Sequence, residues 1–435
     1  MNTITAEVIR RSRKAATTLP AGVADMARLC LLDWFGLAIA GAREPVCRHL
    51  LAVTRAEGAH PVATAVGHGH GFSARQAAFL NAVAGHALDY DDVNLAMHVH
   101  PTTVILPPVL ALAEARGDGG QALLSAFVAG YEATGMIGAW LGPAPYDRGF
   151  HMTGTLGCIG AAAACAHLLG LDEEATARAY GLAASQAAGL KAQFGTMAKP
   201  LHAGRAAEAG LCAALWAQAG VSSRTDILEA VQGYAATQAF VPDAPIHWDG
   251  YQLERNRFKY HAACFGTHGV FEAIAALRAQ GVRPEHVRAV RLKVDAGADR
   301  MCNIAVPRNG TEAKFSLRFA AALALAGADS ADPRTFDDDA TTRPELAALR
   351  ERITVELAAP GWPPDLTEVE SVLTDGRRLL ARHDTSIGAA NVAALRHKFA
   401  RLSMGIGADK ASGLADLIER IEAQTDLCAL LHLAA

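Results

Sequence analysis

A mainly helical protein with a smaller α/β unit late in the chain is what these 435 residues predict. Three observations carry that reading. The chain is 51% apolar but only 6% aromatic, so Ala, Leu and Gly dominate, a mixture that favours closely packed helices over a β-sandwich. Apolar residues recur at helical spacing from Thr5 to about Gln252. Near residue 255 the texture changes to alternation of apolar and polar residues, the period of strands. At about 150 residues per domain the length allows two or three units.

Taken in order, an amphipathic segment runs to Thr18, and AGVADMARLCLLDWFGLAIAGA is a second helix. PVATAV at 61–66 is a short β-like run ended by GHGHG, after which Ser73 is a good N-cap for SARQAAFLNAVAGHALDY. That helix is read as carrying His86, Asp89 and Tyr90 on one face, with a Pro-stopped turn at His100. Further helices are expected at QALLSAFVAGYEATGMIGAW, TGTLGCIGAAAACAHLLG and DEEATARAYGLAASQAAGL. In the α/β part, VRAVRLKVDAG and RITVEL read as strands, and TEVESVLTDGRRLLARH reads as two strands around Thr374-Asp375-Gly376-Arg377. FSLRFAAALALAGA is a helix between them, and the acidic stretch DSADPRTFDDDATTRPEL is a surface connection leading into a short helix. From Asn391 the chain is helical again, and those helices can return to the first domain. The division expected is a helical domain of 1–256 and 390–435 with an α/β lid of 257–389, its crossings near 256–258 and 386–390.

The formal charge of −4 argues against a generally basic nucleic-acid surface, and the low charged fraction of 19% argues against disorder. The longest apolar stretches are read as too short to span a bilayer, and the N-terminus lacks the layout of a secretory signal, so a cytoplasmic protein without a membrane segment is expected. The eight cysteines are scattered with no CxxC pair, which points away from a disulfide framework or a zinc ribbon.

Five clusters can carry chemistry. HALDYDDVNLAMHVHPTT, at 86–103, runs from His86 through the carboxylates Asp89, Asp91 and Asp92 to His98 and His100, two histidines at x, x+2 beside carboxylates that suit proton transfer or, read alone, a metal. RGFHMTGTLG, at 148–157, places His151 and Thr153 at the start of an apolar helix, where backbone N–H groups attract anions. GTMAKPLHAGR, at 195–205, collects Lys199, His202 and Arg205 between two helices. FKYHAACFGTH, at 258–268, brings Lys259, His261 and Cys264 to the domain boundary, and EAKFSLRF, at 312–319, adds Arg318. The P-loop spacing is absent, so nucleotide binding has no support.

In this order the HALDYDD…HP, H-x-T-G-T-x-G, K-P-L-H-A-G-R-A-A, F-K-Y-H…T-H and A-K-F-S-L segments resemble the MmgE/PrpD family over nearly the whole chain. The resemblance implies a large helical domain built from both chain ends, a smaller α/β lid, a homodimer, and chemistry that needs no metal or organic cofactor. It also implies a pocket between domain and lid with Asp89, His100, His151, Lys199 and Lys259 as catalytic residues. Thr153, His202, Arg205, His261, Cys264 and Arg318 are then expected to bind a small di- or tricarboxylate, whose carbanion-like intermediate the cations stabilise.

The activity implied is that of a lyase removing a proton α to a carboxylate, with dehydration of a 2-methylcitrate-like hydroxy acid first and epimerisation of an imino- or amino-dicarboxylate second. Decarboxylation of cis-aconitate comes third. Decarboxylase-like members place a histidine where this chain has Cys264, a tyrosine where it has Phe319 and a threonine where it has Val93, and the segment from Asp92 to His100 is one residue longer here. An inactive carboxylate-binding relative is the non-enzymatic alternative, and a metal held by His98, His100 and the aspartates is another. Neither Lys199 nor Lys259 is expected to serve the core, so their replacement should leave stability unchanged.

Overall fold

The computed structural model describes residues 3–238, 246, 249–387 and 390–435. The chain divides into two compact units, Met1–Phe258 with Val392–Ala435, and Lys259–Asn391. Of the crossing expected at 386–390, residues 388 and 389 lie outside the described residues. Helices dominate and the sheets are small.

The larger unit opens with α1 (Ile4–Thr17), α2 (Ala21–Gly41) and α3 (Pro45–Glu57). A hairpin of β1 (Ala63–Ala65) and β2 (Gly69–Phe72) follows, so the GHGHG run continues into a second strand where sequence reading ended the first. Ser73 and Gln76 then form a reciprocal capping box that starts α4 (Ala74–His86).

The next helix, α5 (Pro101–Arg116), is absent from the elements read in sequence, and it carries two residues that ordinarily break helices, Pro107 and Pro108. It forms nonetheless. Pro101 sits in its first turn, where a missing N–H costs nothing, and apolar side chains from Val104 to Ala113 are buried around it. After it come α6 (Gly120–Leu141), α7 (Ala144–Arg148), α8 (Met152–Thr155), α9 (Gly157–Leu168), α10 (Glu173–Ala184), α11 (Ala198–Gln218) and α12 (Tyr234–Gln238). The sequence GCIGAAAACAHL leaves α9 almost without bulk, so α6, α11 and α5 all pack closely on it.

By length and composition α6 could cross a bilayer, which corrects the expectation that no segment reaches that size. Here it is a core helix, with 83% of its apolar window buried. Its one carboxylate, Glu132, accepts the backbone N–H groups of Gln252 and Leu253, each at 3.0 Å.

In the smaller unit α13 (His268–Ala279) leads into β3 (Val287–Val294), α14 (Ala298–Cys302), α15 (Gly310–Ala313), α16 (Leu317–Ala326) and α17 (Pro344–Arg350). Strands β4 (Ile353–Leu357), β5 (Leu366–Leu373) and β6 (Arg378–Asp384) complete a sheet of order β4-β3-β5-β6. Only the β3–β4 pair is parallel. The turn joining β5 to β6 is the TDGR sequence, with Gly376 at φ 90°. Against one face of the sheet lies α13, another helix unrecognised in sequence, packed on β5, β6 and α16. The chain ends in the larger unit with α18 (Val392–Leu402), α19 (Ala408–Glu419) and α20 (Cys428–Ala434), α18 lying on α2.

Candidate active site

The segment after α4 gathers several titratable side chains of the larger unit. The helix stops at His86, so Asp89 and Tyr90 do not continue its face as the spacing predicted. Asp89 instead adopts a left-handed φ of 52°, and His98 one of 50°, which throws successive side chains in different directions. The loop is closed by paired backbone bonds between Asn94 and Val99 and by a bridge from Val93 to Arg257.

His86 and His100 meet over Asp91. Asp91 Oδ2 lies 2.8 Å from His86 Nδ1 and 3.4 Å from His100 Nδ1, all three side chains being buried or nearly so. His100 Nδ1 also lies 2.9 Å from the backbone carbonyl of Asp92. A carbonyl can only accept, so Nδ1 of His100 carries a hydrogen and Nε2 is the basic nitrogen of the neutral ring. The His100 backbone N–H donates to Thr153 Oγ1 at 3.1 Å, so Thr153, expected to bind substrate, is buried and serves to fix His100.

His151 occupies the N-cap position of α8 but makes no capping bond with its side chain. Its ring stacks on His86 with centroids 5.7 Å apart, and its Nδ1 is 3.0 Å from His202 Nδ1, so that one proton lies between the two rings. Gly189 makes room for this pair. Its carbonyl accepts the His151 N–H at 3.1 Å, its φ is 151°, and a Cβ there would press on His151 and His202.

Lys199 lies in the first turn of α11, not between helices, and pairs with Asp89. The Phe194 ring lies 5.0 Å from the Lys199 ammonium and edge-on to His151. The pairing corrects the expectation that Lys199 bears no part of the fold's stability: it is buried, and its charge is balanced by a buried carboxylate.

Burial, followed by His86, Lys199 and other neighbouring cationic groups, holds His151 well below the usual imidazole range. The same causes lower His202, burial again first. Both rings are therefore neutral near pH 7. His86 Nε2 and His151 Nε2 are buried and have no hydrogen-bond partner among the described residues. Asp92 moves the other way, pushed up to about 7 chiefly by burial, with the Thr102 hydrogen bond opposing and Asp33 and Asp91 adding to the rise.

A carboxyl whose folded value lies above its unfolded value of about 4 contributes stability that is lost as pH climbs from 4 through 7. Asp92→Asn is therefore expected to flatten the fall in Tm between pH 5 and pH 8. Parallel Tm curves for variant and wild type would remove Asp92 as its source.

His86, Asp91 and His100 each bring a potential ligand atom within 4.8 Å of the others, whereas His98, expected as a ligand, stacks on Tyr146. Two imidazoles and a carboxylate suit a divalent transition metal. The nitrogens facing Asp91 are however the Nδ1 atoms, and the one on His100 is committed as a donor to a carbonyl. The set reads as a hydrogen-bonded proton array.

Of the remaining expected residues, only Arg205 belongs to the larger unit. Arg205 is exposed and pairs with Glu208 on α11. The others belong to the smaller unit. Lys259 is its first residue and is buried. His261 holds Ser330 Oγ at 2.7 Å through Nδ1 and Glu272 at 3.1 Å through Nε2. Cys264 is buried with its thiol against that of Cys302, and Arg318 donates to Asn303 at 2.7 Å.

Sequence reading gave no role of their own to His86 and Asp91, although both stand in the segment it singled out. Phe194 carried no signal beyond being the aromatic residue nearest Lys199.

The MmgE/PrpD N-terminal domain model matches residues 11–247, and the MmgE/PrpD C-terminal domain model matches residues 261–426. Cis-aconitate decarboxylase of Mus musculus is 30% identical over 385 residues, covering 82% of this chain and 78% of the relative. The Homo sapiens protein of that name is 28% identical over 389 residues with the same coverage. That of Aspergillus terreus is 24% identical over 473 residues, 99% of this chain and 95% of the relative.

Proposed function

The chain belongs to the MmgE/PrpD family, and from that membership and the histidine array we propose that it is a lyase acting on a small di- or tricarboxylate. The observation that carries the reading is the grouping of neutral His151, the His86–Asp91–His100 array and the Lys199 ammonium in one buried region. Removing a proton next to a carboxylate needs a neutral base and a cation to hold the charge that develops on the carboxylate.

In this reading His100 takes the proton on Nε2 while the Asp92 carbonyl and Asp91 hold its other nitrogen. Asp91 stabilises the imidazolium that results. The His151–His202 pair accepts the proton from the His100 imidazolium and passes one on to the leaving hydroxyl, so that water departs and all three rings end neutral. Lys199 exchanges Asp89 for a substrate carboxylate.

Dehydration of a 2-methylcitrate-like hydroxy acid is the favoured reaction, because Cys264 and Phe319 stand where the resemblance puts a histidine and a tyrosine in decarboxylase-like members. Decarboxylation is the second reading, favoured by the name that the relatives share.

Proton NMR in D₂O with methylcitrate, cis-aconitate and iminodisuccinate tests both. The expected result is an olefinic product, or deuterium uptake, from methylcitrate. A new terminal methylene with loss of CO₂ from cis-aconitate would establish decarboxylation instead. Exchange confined to iminodisuccinate would establish an epimerase, and no exchange in any of the three would leave a carboxylate-binding protein.

A further inference from the structure

One buried cation of the larger unit has no place in the proton chemistry above. Lys398, on α18, is 2% exposed. Its Nζ donates to the backbone carbonyl of Tyr90 at 2.7 Å and lies 2.7 Å from Asp33 Oδ1 on α2. The same ammonium stands 3.9 Å from the centroid of the Tyr90 ring. Two residues far apart in sequence, Asp33 and Tyr90, thus meet on one charge, Tyr90 with both its carbonyl and its ring.

A buried Lys–Asp pair is by itself a poor source of stability, since desolvation takes back most of the attraction. What sets this one apart is the main-chain contact. Tyr90 lies between Asp89, which pairs with Lys199, and Asp91, which holds His86 and His100. Its carbonyl belongs to the planar peptide that continues into Asp91, so a donor clamped on that oxygen sets the direction in which the Asp91 Cα, and hence its carboxylate, leaves the loop. Asp89, one residue earlier, holds a left-handed conformation that persists only where its surroundings impose it. The ring face under the same ammonium fixes Tyr90 on the side-chain side as well.

We propose that Lys398 is a positioning residue: through the Tyr90 carbonyl it holds the Asp89–Asp92 loop so that Asp91 is aimed at His86 and His100. Its consequence for turnover rests on the lyase reading, whereas its consequence for the histidines does not. Asp33 has the lesser part of balancing the charge. Placement of a base changes the rate of the chemical step more than the binding of substrate, so the effect falls on kcat.

The test compares wild type, Lys398→Met and the double variant Lys398→Met with Asp33→Asn. The single variant strands the Asp33 carboxylate in the interior and is expected to lower Tm. The double variant removes both charges and should recover most of that loss. If the role is positioning, the double variant still has kcat reduced about 10- to 100-fold with KM within about 3-fold of wild type. Its His86 and His100 C2–H resonances also titrate at midpoints displaced from the wild-type ones. Wild-type kcat and wild-type midpoints in the recovered double variant would overturn the proposal and leave Lys398 as the counter-ion of Asp33. If none of the three substrates turns over, the lyase reading has failed and the histidine midpoints alone decide: displacement supports the clamp, and unchanged midpoints overturn it. Should the single variant not fold, the double variant carries the whole comparison.

Discussion

Lys199→Met is expected to lower kcat/KM by about 30- to 1,000-fold and to lower Tm as well. The first effect follows from removing a cation that meets a carboxylate in a desolvated site, worth about 2 to 4 kcal/mol in the transition state. The second follows from the buried pair with Asp89, since deleting one partner leaves the other charged and unbalanced at a cost of about 3 to 5 kcal/mol. In a unit of this size that corresponds to roughly 6 to 20 °C. The two effects separate experimentally. Kinetics at a temperature where circular dichroism shows the variant fully folded reports only the first. A folded Lys199→Met protein with kcat/KM within about 3-fold of wild type would show that the ammonium serves Asp89 alone, and would remove it from the chemistry.

Asp91→Asn is expected to reduce kcat by about 100- to 10,000-fold with little change in KM. The carboxylate accepts from His86 and faces His100, so it both orients the rings and stabilises an imidazolium formed between them. An amide of the same shape offers one acceptor and one donor. If its N–H₂ group turns toward His86 Nδ1, the ring must present a lone pair there, and the proton moves to the opposite nitrogen. The substitution therefore alters tautomer more than shape, which is why the loss falls on kcat. The pH–rate profile gives the check: the variant's profile should be lower and changed in form, because the carboxylate that stabilises the imidazolium is gone. A profile of unchanged form and height would place the base elsewhere.

Local sequence determined a good deal of this protein. Ser73 announced the start of α4, the Thr374–Arg377 turn announced the β5–β6 hairpin, and the change of period near residue 255 marked a change of texture that the structure realises as a sheet with helices. These features depend on contacts a few residues long, and propensity and spacing encode such contacts directly. The chemistry-bearing segments were legible for a related reason, because titratable residues amid Ala and Leu stand out wherever the chain carries them.

Tertiary packing decided the rest. The α5 helix is absent from the sequence reading and carries two adjacent prolines, yet it forms because its surroundings bury it from Pro101 to Ala113 and outweigh the lost N–H groups. The helical spacing of His86, Asp89 and Tyr90 suggested one face, but the helix ends first and a left-handed Asp89 sends its carboxylate to a lysine 110 positions away. Arg205 and Lys199 lie on one helix within seven residues of sequence, and their different positions around the α11 axis bury one and expose the other. Lys398 offered no local clue at all. Its meaning lies in a carbonyl 308 residues distant, and the cost of a buried charge makes such a partner necessary without saying which one the fold will supply.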